Sequence, residues 1–267
     1  MEVPVRNRLN KLLQDNRKAS ARRFDVLAKD GTDEAEVFLY DAIVSNEEEA
    51  AWWGGVAPES FVKALREIDA STIHLRINSP GGSVFAARAM EQALRDHKAK
   101  IIVHIDGLAA SAATFIALAG DEIVMGKGAL FMIHKAWTGM WGNADDLRAE
   151  ADLLDKIDGT LADTYAERTG ADTKRIADWM SAETWFTADE AVEHGFADRV
   201  AETEAKAKAW NLSAYANAPK PEPEPPQTPA PAANVEPDPT AAPNPTPYAT
   251  DEHRARQAQR MRLVAQI

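Results

Sequence analysis

The sequence predicts an α/β domain built on a largely parallel sheet. Short apolar, β-type runs alternate with helical segments over the first 200 residues. Turn signals, Asn78-Ser79-Pro80-Gly81-Gly82 and Gly107, follow strand-like runs directly. The 267 residues are 45% hydrophobic and 27% charged, enough for one sizeable core with extensions.

In chain order, residues 1–34 read as a basic N-terminal arm. Residues 1–23 hold seven Lys/Arg against Glu2 and Asp15. Val5, Leu9, Leu12 and Leu13 fall at helical spacing, so the arm is either a short amphipathic helix that docks on acidic protein or a solvated extension. Glu36–Val44 reads as the first strand, Ser60–Ile68 as a helix and Thr72–Ile77 as the next strand. A helix over Val84–Asp96 follows, then a strand at Ile101–Ile105. Gly107–Phe115 turns from that strand into an alanine-rich helix that Gly120 stops. Strands at Glu122–Met125 and Leu130–Ile133 come next. Asn143 caps a long helix over about 144–168, with Leu147, Leu154, Ile157, Leu161 and Tyr165 on one face and Gly170 at its end. A shorter helix near 172–180, another at Ala188–Glu193 and a strand at Ala197–Val200 complete the domain, read as residues 35–205.

Twelve of the 15 prolines lie between Pro219 and Pro247, so residues 206–250 read as a disordered linker. Residues 251–267 form a short basic peptide with Arg254, Arg256, Arg260 and Arg262 among aliphatic residues. It is either a docking peptide or a passive tail.

Composition excludes several functions. With no cysteine there is no disulfide, thiol nucleophile or thiolate metal site. A formal net charge of −12 argues against general nucleic-acid binding. No run is long and apolar enough for a membrane span or a secretory signal, so a cytoplasmic location is expected. No cofactor or metal is called for.

The chemistry converges on Ser111. A serine at a strand-to-helix bend exposes its hydroxyl at the positive helix end, beside backbone N–H groups that lack helical partners. That suits a nucleophile with an oxyanion site. The amides of Gly82 and Ala112 are the candidate oxyanion donors, since the two glycines of Pro80-Gly81-Gly82 free the backbone there. Of six histidines, His74 and His104 lie within strands, and His97, His194 and His253 in charged contexts. His134 ends a strand run and is the candidate general base. Glu183, before Thr184-Trp185-Phe186, is the candidate third group that orients the imidazole.

With these residues in place, the chain resembles the proteolytic subunit of the Clp protease (ClpP). The matching elements are Ile77-Asn78-Ser79-Pro80-Gly81-Gly82, Gly107-Leu108-Ala109-Ala110-Ser111, Met132-Ile133-His134, and Thr187 through Gly195, in order over about residues 35–200. The resemblance implies a ClpP/crotonase-like fold with repeated ββα units and a protruding helical handle, here the helix near 144–168. It implies a serine endopeptidase with Ser111 as nucleophile, His134 as base and the Gly82 and Ala112 amides as oxyanion hole. It implies substrate binding by Gly81 and by a strand at about Trp137–Trp141, and a homo-oligomeric ring, heptameric or stacked in pairs. The sequence departs from the family where it has Glu183 in place of aspartate, in its N-terminal stretch, and in its proline-rich tail. These departures look more like the ClpP-related head maturation proteases of tailed phages and prophages. That likeness implies an ATP-independent endopeptidase cutting scaffold or capsid proteins in the host cytoplasm or inside an assembling prohead, with capsid, scaffold or portal proteins as partners. A housekeeping-type subunit working with a Clp ATPase is the first alternative. Others are a signal-peptide-peptidase-like Ser/Lys protease using Lys127 or Lys135, an acyl-CoA hydratase or isomerase on the same fold, and an inactive assembly scaffold.

Overall fold

The computed structural model describes residues 8–29, 31–204 and 210–219. They belong to one compact unit, Met1–Lys220. The expectations for residues 220–250 and for the basic peptide 251–267 lie outside the described residues.

The chain opens with α1 (Arg8–Asn16), β1 (Arg23–Ala28), β2 (Glu34–Tyr40), α2 (Glu47–Trp53) and α3 (Pro58–Arg66). Next come β3 (Thr72–Ser79), α4 (Val84–Arg95), β4 (Lys100–Ala110), α5 (Ala112–Ala117), β5 (Glu122–Lys127) and β6 (Leu130–Ile133). It closes with α6 (Ala144–Thr169), α7 (Thr173–Ser181), β7 (Thr184–Thr187), α8 (Ala188–Glu193) and β8 (Arg199–Glu204). The sheet runs β1-β2-β3-β4-β5-β8, with β6 joining β4 and β7 joining β6. β2, β3, β4, β5 and β8 are parallel, while β1 and β7 are antiparallel additions. Leu75, Ile77, Val103, Ile105, Ile123 and Met125 are fully buried between the sheet and the helices, which is why these strands read as apolar runs.

β4 is longer than its apolar run suggested. Its first part, Ile102–Ile105, pairs with β5, and its second, Leu108–Ala110, pairs with β6. Residues 107–110 are therefore strand, and the helix begins only after Ser111. That helix has six residues, too short for a sizeable dipole, so the bare amides at its start matter more than its field.

α6 forms as read, with Asn143 accepting from the Asp145 and Asp146 amides in a capping box and Gly170 closing it at φ 69°. Only Leu161, Ala162 and Tyr165, in its C-terminal half, are buried. Its 26 residues span about 39 Å at 1.5 Å per residue, and its N-terminal half leaves Leu147 and Leu153 exposed. The strand expected at Trp137–Trp141 does not form: residues 134–143 are irregular.

The basic N-terminal stretch is built into the unit. Leu12 and Leu13 of α1 are buried, and β1 pairs with β2 along its whole length. Residues 210–219, within the range read as linker, are also packed: Trp210, Ala214 and Tyr215 share a buried cluster with Leu12, Leu108, Ala110 and Met132. Among the described residues, no helix is long and apolar enough to cross a membrane, and no group of His, Asp and Glu is arranged to hold a metal ion.

Candidate active site

Strand register builds the site. Ala110 on β4 pairs with Met132 on β6, so the residues just beyond, Ser111 and His134, emerge side by side at the strand ends. The Ser111 amide donates to the Met132 carbonyl at 2.8 Å, fixing the bend. Ser111 adopts φ 54°, ψ −124°, a strained conformation for a non-glycine residue. Its Oγ lies 2.7 Å from His134 Nε2.

The Pro80-Gly81-Gly82 turn is tied to the neighbouring strand extension. The Ile43 amide donates to the Gly81 carbonyl and the Ser83 amide to the Ile43 carbonyl, both at 2.9 Å. Ser79 Oγ donates to the Asp41 carbonyl at 2.6 Å. Both glycines are required. A Cβ on Gly81 would meet the Ala110 carbonyl oxygen at 2.4 Å, and one on Gly82 would meet that of Ile43 at 1.9 Å. The Gly82 and Ala112 amides donate to no described group, so both remain free for an incoming oxygen.

Beside the pair lies a cavity of about 190 Å³, walled by Val84, Phe115, Leu154, Ile157, Leu161 and Tyr165. Trp137 packs edge-on against the His134 ring, with centroids 4.5 Å apart, and the Arg8 guanidinium sits over Trp137. Trp141 is 76% exposed and lines none of the cavity, because the strand that was to present it does not form. Lys127 and Lys135 are both exposed, and neither bonds to Ser111.

Glu183 departs from its expected place at the imidazole. β7 runs antiparallel to β6 with Ile133 opposite Thr184, so one step beyond the ladder Glu183 lies next to His134 in the backbone. It sits at φ 49°, and its carboxylate is held elsewhere by other donors. It accepts from the Ala216 amide at 3.0 Å, the Asn217 amide at 2.6 Å and Trp185 Nε1 at 3.4 Å. Among the described residues no carboxylate forms an ion pair with a His134 ring nitrogen, whose side-chain partner is Ser111. Burial, helped by the nearby Arg8 charge, pulls the His134 pKa down to about 3.

Sequence reasoning missed Tyr215, which reaches the site from residues 210–219. Its ring packs against His134, Trp137 and Trp185, and its hydroxyl donates to the Pro80 carbonyl at 2.5 Å, with the Ser111 hydroxyl beside it. Burial pushes its phenol pKa up, so it stays protonated. Its only sequence signal was an isolated group of large residues, Trp210, Leu212 and Tyr215, ahead of the proline-rich stretch.

A serine presented on a strained bend, a histidine in hydrogen-bond contact and two free amides form the apparatus of a serine hydrolase. Comparison with known proteins agrees. The Clp protease family model matches residues 32–204, and the chain belongs to that family. It is 34% identical over 139 residues to the ATP-dependent Clp protease proteolytic subunit 2 of Rhodococcus jostii, covering 50% of this chain and 70% of that one. It is 36% identical over 139 residues to proteolytic subunit 1 of Corynebacterium jeikeium, covering 50% of this chain and 72% of the other. Among solved structures, a mutant ClpP1 from Listeria monocytogenes superposes with a TM-score of 0.54 at 22% identity, covering 65% of this chain and 94% of that one, which supports the fold. The protein is a serine peptidase of mixed α/β fold.

Proposed function

We propose that this chain is an ATP-independent serine endopeptidase that cleaves scaffold and capsid proteins during phage head maturation, with Ser111 as its nucleophile. The observation that carries the chemistry is the 2.7 Å contact between Ser111 Oγ and His134 Nε2 at a bend held by the β4–β6 register. Ser111 Oγ attacks the scissile carbonyl while His134 Nε2 takes its proton. The carbonyl oxygen, now negative, is received by the Gly82 and Ala112 amides. His134 then gives the proton to the departing amine, leaving an acyl-enzyme that a water hydrolyses by the same route in reverse. Glu183 completes the triad when its carboxylate faces the imidazole. The apolar cavity beside Ser111 suits an apolar side chain of the substrate.

The maturation role is supported by what flanks the family match. Ahead of residue 32 stand a basic helix and an added edge strand; behind residue 204 come a proline-rich segment and a basic terminal peptide. Such a tail suits a protease tethered to a shell of many identical subunits, because a tether raises local concentration. The exposed Leu147 and Leu153 of α6 suit burial in a homo-oligomeric ring. Co-expression with capsid and scaffold proteins tests the reading: the native chain trims them without a partner ATPase, and Ser111→Ala leaves them full length. Cleavage undiminished by Ser111→Ala would remove Ser111 from its role. The names of the relatives favour a second reading, a subunit that works with a Clp ATPase. That reading requires ATP and the ATPase for degradation of a folded protein.

A further inference from the structure

We propose that residues 210–218 form an intramolecular inhibitor of the peptidase, a strap that keeps Glu183 from His134 and seats Tyr215 over the Ser111–His134 pair. The proposal rests on Ser111 and His134 being the catalytic pair, and holds whichever protein is cleaved.

Several anchors hold the strap, among them Ser213 Oγ to Asp15 Oδ2 at 3.1 Å and Asn217 Nδ2 to the Ala182 carbonyl at 2.8 Å. Trp210 Nε1 donates to the Asn78 carbonyl at 3.1 Å. Asn211 and Asn16 exchange two hydrogen bonds, each 2.8 Å. The Tyr215 hydroxyl donates to Pro80, and the Ala216 and Asn217 amides donate to Glu183. Two of them engage the site itself: the turn that carries the Gly82 amide, and the candidate third carboxylate.

Glu183 carries the argument. It is buried, so its charge needs hydrogen-bond partners wherever it points. In this structure both carboxylate oxygens are taken by strap amides. Its backbone lies opposite His134 one step past the β6–β7 ladder, so the carboxylate has two alternative sets of partners nearby: the strap or the imidazole. While it serves the strap, the imidazolium that must form during attack has no counter-charge, and burial disfavours that cation further. Tyr215 adds a steric block, because its ring and hydroxyl fill space beside Ser111 that a substrate backbone would need. The two arrangements exclude one another, which makes strap docking and catalysis competing states of one equilibrium.

The opposing possibility is that the strap is a permanent wall that orients His134, in which case loosening it lowers activity. The two differ in sign. The experiment measures the rate of covalent labelling by a fluorophosphonate probe, and kcat/KM on a short fluorogenic peptide, for the full chain, Tyr215→Ala, Asn217→Pro and a Ser111→Ala control. Tyr215→Ala removes the ring from the site; Asn217→Pro deletes one N–H donor to Glu183 together with the side-chain bond to the Ala182 carbonyl. Both variants are expected to label at least tenfold faster than the native chain, with kcat/KM rising in parallel. A synthetic peptide of residues 210–219 is expected to slow Tyr215→Ala again. Adding Glu183→Gln to Tyr215→Ala is expected to remove most of the gain. Equal or slower labelling in the folded variants overturns the strap. If Tyr215→Ala fails to fold, Asn217→Pro, which leaves the apolar packing in place, decides alone. Absence of labelling in every chain, the native one included, overturns the catalytic pair and the strap with it.

Discussion

Gly82→Ala places a methyl group 1.9 Å from the Ile43 carbonyl oxygen, with the Ile43 carbon and nitrogen at 2.8 and 2.9 Å. All three atoms are backbone, so no side chain can swing aside. Gly82 also sits at φ 151°, where a side chain is strained by about 1–3 kcal/mol even in open space. The turn must therefore move away from residue 43, breaking the 2.9 Å bonds that Ile43 makes with Gly81 and Ser83. The Gly82 amide moves with it, and losing one oxyanion donor costs about 10²–10³ in kcat, or about 3–4 kcal/mol. The control is Gly128→Ala. Gly128 also has a positive φ, 80°, but nothing lies within 4 Å of its added Cβ. That variant carries the backbone strain without the clash or the loss of a donor. The assay is kcat and KM on a short peptide beside the thermal midpoint of each variant. Gly82→Ala is expected to lose about 10²-fold or more in kcat with KM little changed, and Gly128→Ala to lose stability alone. A Gly82→Ala enzyme within threefold of native kcat would refute the oxyanion assignment at this turn.

Two further outcomes follow from the same structure. Burial holds His134 at about 3 and His104 at about 4, both below the ordinary histidine value of 6.5. Between those values and 6.5 the unfolded chain binds protons that the folded chain does not, so stability is lost as pH falls from 6.5 towards 4. A midpoint that is flat or rises on acidification over that window would contradict the burial of these rings, and His104→Asn is expected to flatten the slope. Leu147→Glu with Leu153→Glu charges the exposed half of α6, and light scattering is expected to show loss of the proposed ring without loss of the protomer's fold. An unchanged mass would place the oligomer contact elsewhere.

The parts of the fold set by local pattern were legible in the sequence. α6 announced itself through Asn143, Gly170 and its spaced apolar face, and α8 forms over Ala188–Glu193 as read. β5 and β6 were visible as apolar runs because consecutive residues on both faces are buried, and β3 through the alternation of Ile73, Leu75 and Ile77 with half-buried polar residues. Ser111 and His134 were legible because each follows directly on a strand. What the sequence hid depends on distant partners. β1, Arg23–Ala28, is exposed or half-buried and carries two charges, so only pairing with β2 makes it a strand. β7 has four residues and exists through β6. The stretch 137–141 has aromatic residues typical of a strand but no described neighbour to pair with. Glu183 was chosen from the sequence for its place before Thr184-Trp185-Phe186, yet its side chain follows two amides 33 and 34 residues further on. No local pattern could have shown that.

The reciprocal Asn16–Asn211 pair joins residues 195 positions apart. Glu183, the last candidate catalytic group, is translated 27 residues before Trp210, the first residue of the strap. At a synthesis rate of roughly 5–20 residues per second, that interval is roughly one to five seconds. Every contact of the strap with Asn16, Asn78 and Pro80 is non-local, and such contacts form late because a long loop must close first. Each new copy of the chain thus passes through a period in which its serine and histidine are already synthesised and their cover is not. The direction of translation, as well as the equilibrium between docked and open strap, determines when this site is first shielded.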